Sequence, residues 1–184
     1  MQAYRLVERV SEAEVAARVR DLAEEIDRDY EGKDVVLIGV LKGAFVFLAD
    51  LIRNLRVPVE VDFVRLASYG AAAESSGCIR LTKDVEARLE GRDVLIVEDI
   101  VDTGVTVDWM LKHLKQHGPR SIKVCTLIDK FECRRCAVPV DYAGIRISGG
   151  FVVGYGLDFA EKHRGLKGIY EVEFLNDGSG GAAP

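Results

Sequence analysis

No stretch of the 184 residues approaches the apolar length that a membrane crossing needs. A secretory leader is lacking as well, because Arg5, Glu8 and Arg9 interrupt any apolar run at the start. Basic residues are not in excess: 25 Lys and Arg stand against 30 Asp and Glu, for a net charge of −5. That balance argues against a nucleic-acid-binding face. Cysteines are few, at Cys78, Cys125, Cys133 and Cys136. The Cys133-Arg-Arg-Cys136 pair stands alone, since neither the other cysteines nor the three histidines form a second zinc-ligand motif. A redox pair of the thioredoxin kind would open a helix, whereas Pro139 soon follows. The two arginines would ease thiol oxidation, but the plainer expectation is exposed thiols on a variable loop. No internal repeat is present. These absences leave a cytoplasmic protein with no membrane and no nucleic acid among its partners.

What is there suits one domain. Hydrophobic residues make up 48% and charged residues 30%, enough apolar material for a sizeable core. One domain is expected over 1–175, with a frayed tail over 176–184. Ser11-Glu12-Ala13-Glu14 is a capping box, and Val15, Val19, Leu22 and Ile26 recur at helical spacing until about Gly32. Val35 to Val40 reads as a buried strand, Leu41-Lys42-Gly43 as a tight turn, Ala44 to Leu55 as an apolar helix and Val59 to Leu66 as a parallel strand. Residues 67–77 are small, polar and without period, the composition of a mobile lid. Further strands are expected over Ile122 to Ile128, Asp141 to Ile147 and Ile169 to Leu175. The glycines between Gly149 and Asp158 lack the spacing of a dinucleotide loop.

The organising stretch is Asp93 to Thr106. Four apolar residues, Val94 to Val97, read as a strand buried on both faces. Three carboxylates, Glu98, Asp99 and Asp102, follow within five residues, then Thr103, Gly104, Val105 and Thr106 before a helix over Val107 to His117. A glycine and hydroxyls at a helix start suit a phosphate, whereas clustered carboxylates repel one. A sugar phosphate offering hydroxyls and a divalent cation to the acids, and its phosphate to the turn, meets both demands. On residues alone, Asp102 could equally cap the helix, and Lys42 could be a solvated turn lysine.

This stretch resembles the ribose-phosphate signature of the type I phosphoribosyltransferases: two hydrophobics, two acids, two hydrophobics, then Asp-Thr-Gly-x-Thr. From about Leu37 to Arg164 the chain is most similar to the bacterial hypoxanthine-guanine branch of that family. The resemblance implies an α/β fold with a mostly parallel central sheet flanked by helices, under a small hood from the N- and C-terminal parts. It implies transfer of a phosphoribosyl group from phosphoribosyl pyrophosphate to hypoxanthine or guanine, with Mg2+ as cofactor and a homodimer or homotetramer as assembly. Residue by residue, Asp102 matches the general base, whose charge Glu98 and Asp99 disfavour. Glu98 and Asp99 match the ribose and metal contacts, with Asp158 as a further metal ligand. Thr103, Gly104, Val105 and Thr106 match the 5-phosphate loop. Lys42, Gly43 and Arg164 match the pyrophosphate contacts, and in the family the Leu41-Lys42 peptide is often cis. Ser68 and Tyr69 match the closing loop, where Ala67 replaces the usual serine. Lys130 matches the donor to the purine 6-oxo group, Phe151 the stacking aromatic and Val152 the backbone contact to the base.

Three further departures stand out, one being the Leu166-Lys167-Gly168-Ile169-Tyr170 run, which drifts from the family pattern. Gly149-Gly150 occupies the place of a polar or charged residue, which bears on purine preference, xanthine included. His163 stands where an aromatic is usual. Two other readings remain open: a nucleotide-controlled regulator that binds RNA or DNA, and a transferase for a different base. The acidic balance and the presence of Asp102, Lys42 and Lys130 favour the purine enzyme over the first, and Lys130 with Phe151-Val152 favours it over the second.

Overall fold

The computed structural model describes residues 2–68 and 79–175. In chain order the elements are β1 (Tyr4–Val10), α1 (Glu12–Asp29), β2 (Val35–Leu41), α2 (Phe45–Asn54), β3 (Val59–Ser68), β4 (Ile79–Lys83), β5 (Asp93–Val101), α3 (Val105–Lys115), β6 (Ser121–Lys130), β7 (Tyr142–Ile147), β8 (Val152–Val153) and β9 (Ile169–Phe174). The six-stranded main sheet runs β4-β3-β2-β5-β6-β7, and a three-stranded sheet runs β1-β9-β8. All pairings in the main sheet are parallel except β3 with β4. The architecture is the expected α/β sheet with helices and a small second sheet.

Alternation along the central strands explains why they read as continuous apolar runs. Val35 and Leu37 of β2 and Leu95 and Val97 of β5 join the core beneath α1 and α2. Val36, Ile38, Val94 and Ile96 join a second core with Val107, Met110 and Leu114 of α3. Successive side chains on a strand point to opposite faces, so a sheet covered on both faces needs apolar residues at every position. Helix α1 buries Val15, Val19, Leu22 and Ile26, the predicted stripe. Its capping box is formed: Glu14 N donates to Ser11 Oγ at 3.3 Å, and Ser11 N donates to Glu14 Oε2 at 2.9 Å, worth about 1 kcal/mol.

The structure corrects several boundaries. β5 continues through Glu98 and Asp99 to Val101, four residues beyond the apolar run. Strands β1 and β4 were not anticipated from the sequence. β1 has an irregular burial pattern and finds its partner β9 some 160 residues away, so local periodicity did not reveal it. Of the expected lid, Ala67 and Ser68 close β3, and Tyr69 lies outside the described residues, as does the tail 176–184. Among the described residues no helix is long and apolar enough to cross a membrane.

One ion pair anchors the start of β5. Buried Asp93 accepts from Arg120 Nε at 3.0 Å and from Ser121 Oγ at 2.6 Å. The Arg120 guanidinium, with Ser121 and against the cost of burial, lowers the Asp93 carboxyl to about 2. A folded-state pKa below the unfolded one gives stability that is full above the unfolded range and lost as pH falls through the folded value. Asp93→Asn is therefore expected to cost about 1–2 kcal/mol at neutral pH, allowing for the exposure of Arg120. Urea melts of both proteins should converge as pH drops from about 5 to about 2.

Candidate active site

In an open parallel sheet ligands bind beyond the C-terminal strand ends, where the chain reverses its direction of winding. Here that point lies between β2 and β5. From β2 the chain adds β3 and β4 on one side, then returns to place β5 and β6 on the other. Leu41-Lys42-Gly43 leaves the end of β2, Glu98 to Val101 form the end of β5, and Asp102 follows directly. The Leu41-Lys42 peptide is cis.

A cavity of about 530 Å³ opens there, lined by residues that include Lys42, Gly43, Asp99, Asp102, Lys130, Phe151, Val152, Asp158 and Arg164. Nine of the residues singled out from the sequence thus face one space. A smaller cavity of about 220 Å³ shares Gly43 and Asp99 and adds Glu98 and Thr106. Thr103, Gly104 and Val105 line neither. They form the turn into α3, with Gly104 as N-cap at φ +83°, so the α3 first turn presents N–H groups that the helix itself leaves free.

Register decides the central pair. Val101 of β5 lies beside Asp129 of β6, so Asp102, the first residue past β5, comes level with Lys130, the last residue of β6. Lys130 Nζ donates to Asp102 Oδ2 at 3.0 Å, with the lysine side chain 9% exposed and the aspartate 45%. Asp102 does not cap α3, which has no side-chain cap.

Burial dominates the environment of Glu98 and Asp99. Glu98 is buried, and its Oε2 has no hydrogen-bond partner. Burial, with the Asp99 charge added, raises its pKa well above the usual carboxylate range. Burial pushes Asp99 up to about 6, against the hydrogen bond from Ile100 N–H.

On the opposite wall Arg164 pairs with Asp158 at 2.7 Å and donates to Gly156 O at 2.8 Å. Lys42 Nζ donates to both oxygens of Glu161 at 3.0 Å, and Glu161 reaches Arg164 at 3.3 Å. Glu161 was not anticipated. It sits among Ala160, Glu161 and His163, all at positive φ, a segment without period, and only its charge could have drawn notice. His163 hydrogen-bonds Tyr4 Oη at 2.8 Å and packs edge-on against that ring. Phe151 is 46% exposed, its ring braced edge-on by Phe159 at 5.5 Å.

The Cys-Arg-Arg-Cys loop is a second correction. Cys133 and Cys136 are half-buried rather than exposed. Arg134 turns inward and donates to Val101 O at 2.6 Å and Asp102 O at 2.5 Å, with Asp129 as its ion partner. Arg135 N and Cys136 N donate to Thr103 O. The loop therefore holds the Asp102-Thr103 turn in place.

Residues 9–160 match the family model described as the phosphoribosyl transferase domain. The chain belongs to the phosphoribosyl transferase family. A hypoxanthine-guanine phosphoribosyltransferase of Mycobacterium avium is 44% identical over 162 residues, covering 85% of this chain and 80% of its own. A hypoxanthine phosphoribosyltransferase of Salmonella typhimurium is 41% identical over 170 residues, covering 91% and 96%. The crystal structure of a Bacillus anthracis hypoxanthine-guanine phosphoribosyltransferase superposes with a TM-score of 0.86 at 40% identity, over 92% of this chain and 99% of that one.

Proposed function

We propose that this phosphoribosyltransferase moves the 5-phosphoribosyl group of phosphoribosyl pyrophosphate onto hypoxanthine or guanine, forming IMP or GMP and pyrophosphate. The observation that carries the reading is the Lys130-Asp102 pair on the wall of a cavity that Phe151 borders. A 6-oxopurine offers an oxygen to an ammonium and a ring proton to a carboxylate. It therefore satisfies both members of the pair at once, and adenine, with an amino group at that position, does not.

In this reading Lys130 turns from Asp102 to the purine oxygen, which frees the carboxylate to accept the ring proton as the glycosidic bond forms. Phe151 stacks on the base, and the Val152 backbone meets its edge. The α3 first turn, Thr103 to Thr106, holds the 5-phosphate by its free N–H groups and hydroxyls. Lys42, Gly43 and Arg164 receive the pyrophosphate, the arginine by paired N–H donors. Ser68, at the end of β3, and Tyr69, which lies outside the described residues, are assigned to contact with the substrates.

The reaction also calls for a divalent cation, Mg2+ in this proposal. Glu98, Asp99 and Asp158 offer the all-oxygen donor set such an ion prefers, and the unpartnered Glu98 Oε2 and the burial cost on Asp99 fit a cation held there. Once bound, the ion would neutralise the departing pyrophosphate. A homodimer or homotetramer in the cytoplasm completes the proposal, supported by the half-exposed Phe45 and Ile52 on one helix, α2.

Steady-state assays with Mg2+ and phosphoribosyl pyrophosphate, offering hypoxanthine, guanine, xanthine and adenine separately, test this. Turnover of hypoxanthine or guanine without adenine is expected; turnover of adenine alone, or of no purine, would overturn the reading.

Glu161 adds a prediction. Its carboxylate occupies Lys42 and Arg164, the cations assigned to pyrophosphate, so substrate must displace it. The pair is solvent-exposed, and such contacts are worth at most about 1 kcal/mol. Glu161→Gln is expected to lower KM for phosphoribosyl pyrophosphate about three-fold and leave KM for the purine unchanged. An increase in the first value would show that Glu161 instead orders the site for substrate.

A further inference from the structure

At the far end of α3, away from the cavity, three metal-ligating side chains meet. Asp84 follows β4, His113 sits in the last turn of α3, and His117 lies just beyond the helix. One ligand atom from each lies within 4.8 Å of the other two. His113 Nε2 stands 2.8 Å from Asp84 Oδ1, and the His113 and His117 rings are 5.3 Å apart between centroids. The two histidines are four residues apart, the spacing that places side chains on one helix face.

From these residues we propose that Asp84, His113 and His117 form a binding site for a borderline divalent transition-metal ion, zinc above all. Three arguments support it. The donors are two imidazole nitrogens and one carboxylate oxygen, a set that suits zinc and leaves a fourth position for water. It differs in kind from the all-oxygen group of Glu98, Asp99 and Asp158, which suits a hard cation. The geometry is also close. Zinc bonds of about 2.0–2.1 Å at tetrahedral angles put ligand atoms roughly 3.3 Å apart. The His113-Asp84 pair already lies within that separation, and closing the widest gap takes about 1.5 Å, within reach of a His117 side-chain rotation. Finally, the C-terminal end of a helix carries partial negative charge and favours a cation, and Lys112, beside His113 in sequence, is paired with Asp108 at 2.7 Å.

An ion held here would tie the segment after β4 to α3, the helix whose first turn is the proposed phosphate loop. It would therefore stabilise the folded protein, by an amount that rises with the logarithm of free metal concentration above the dissociation constant.

The structure supplies its own reporter. Trp109, the single tryptophan, stacks on His113 with centroids 4.8 Å apart and planes 14° from parallel. Untagged full-length protein, with saturating Mg2+ to fill the oxygen site, is titrated with Zn2+ by calorimetry and with Ni2+ while tryptophan fluorescence is followed. One Zn2+ per chain, a rise in Tm and quenching of Trp109 by Ni2+ are expected. His117→Gln and Asp84→Asn should each weaken Zn2+ binding about ten-fold or more, while the Cys133→Ser/Cys136→Ser double variant binds as the parent does. Absence of saturable Zn2+ binding overturns the proposal, because His113 is then only a hydrogen-bonded partner of Asp84. Unchanged binding in folded His117→Gln overturns it too, as does loss of binding in the cysteine variant.

Discussion

Asp102→Asn is expected to lower kcat for hypoxanthine by about 10²–10⁴, the range for loss of a general base. The substitution keeps shape and an acceptor oxygen toward Lys130 but cannot take the purine ring proton. Lys130 is almost fully buried and stands 3.0 Å from Asp102, so retaining that acceptor limits the structural damage. KM for phosphoribosyl pyrophosphate should change little, because Lys42, Gly43, Arg164 and the α3 first turn are untouched. Progress curves of nucleotide formation, with a thermal melt as control, make the measurement. A fall of less than ten-fold would place the base elsewhere.

Gly43→Ala is the second large effect. A Cβ at this position would lie 1.6 Å from Asp99 Oδ2 and 2.4 Å from its Cγ. Real atoms cannot approach so closely, so something must move. The atoms in the way belong to a side chain, which can rotate, while the backbone round the turn is closely approached by Gly156, where a Cβ would meet Gly43 O at 2.1 Å. Glycine is needed on both sides of this contact for close approach of backbone. Asp99 must therefore give way, and it carries the proposed ribose and cation contact. A displacement of about 1 Å at a positioning group costs about 10² in rate, so kcat/KM for phosphoribosyl pyrophosphate should fall at least about 100-fold. The clash is with one side chain at the cavity wall rather than with the core, so the variant should stay folded, with far-UV circular dichroism as the check. A variant with near-parent kcat/KM would show that Asp99 does not position the substrate.

The glutamate and lysine of the cavity were not equally visible in sequence. Lys130 and Asp102 could each be matched to a motif, but their contact follows from the parallel register of β5 on β6, which no local pattern encodes. Glu161 became visible only because the segment between β8 and β9 packs against Lys42. Arg134 was hidden in a polar loop, where nothing distinguished an inward guanidinium from a solvated one. Asp84 lies 29 residues from His113, so the cluster at the end of α3 could not be assembled from spacing, although the two histidines bore helical spacing all along.

By itself the sequence determined the elements whose burial has a period: the α1 stripe from Val15 to Ile26, the doubly buried β2 and β5, and the glycine-hydroxyl turn that opens α3. It determined the chemistry of the central motif as well, since three acids beside a phosphate-type turn restrict the partners that can satisfy them. Tertiary structure alone decided which groups meet. Strand order put the ends of β2 and β5 side by side, register paired Asp102 with Lys130, and the path of the segment between β8 and β9 set Glu161 on Lys42. The physical reason is range. Periodicity reports the solvent gradient across one helix or strand, whereas a site is made by contacts between segments whose separation along the chain carries no local signal.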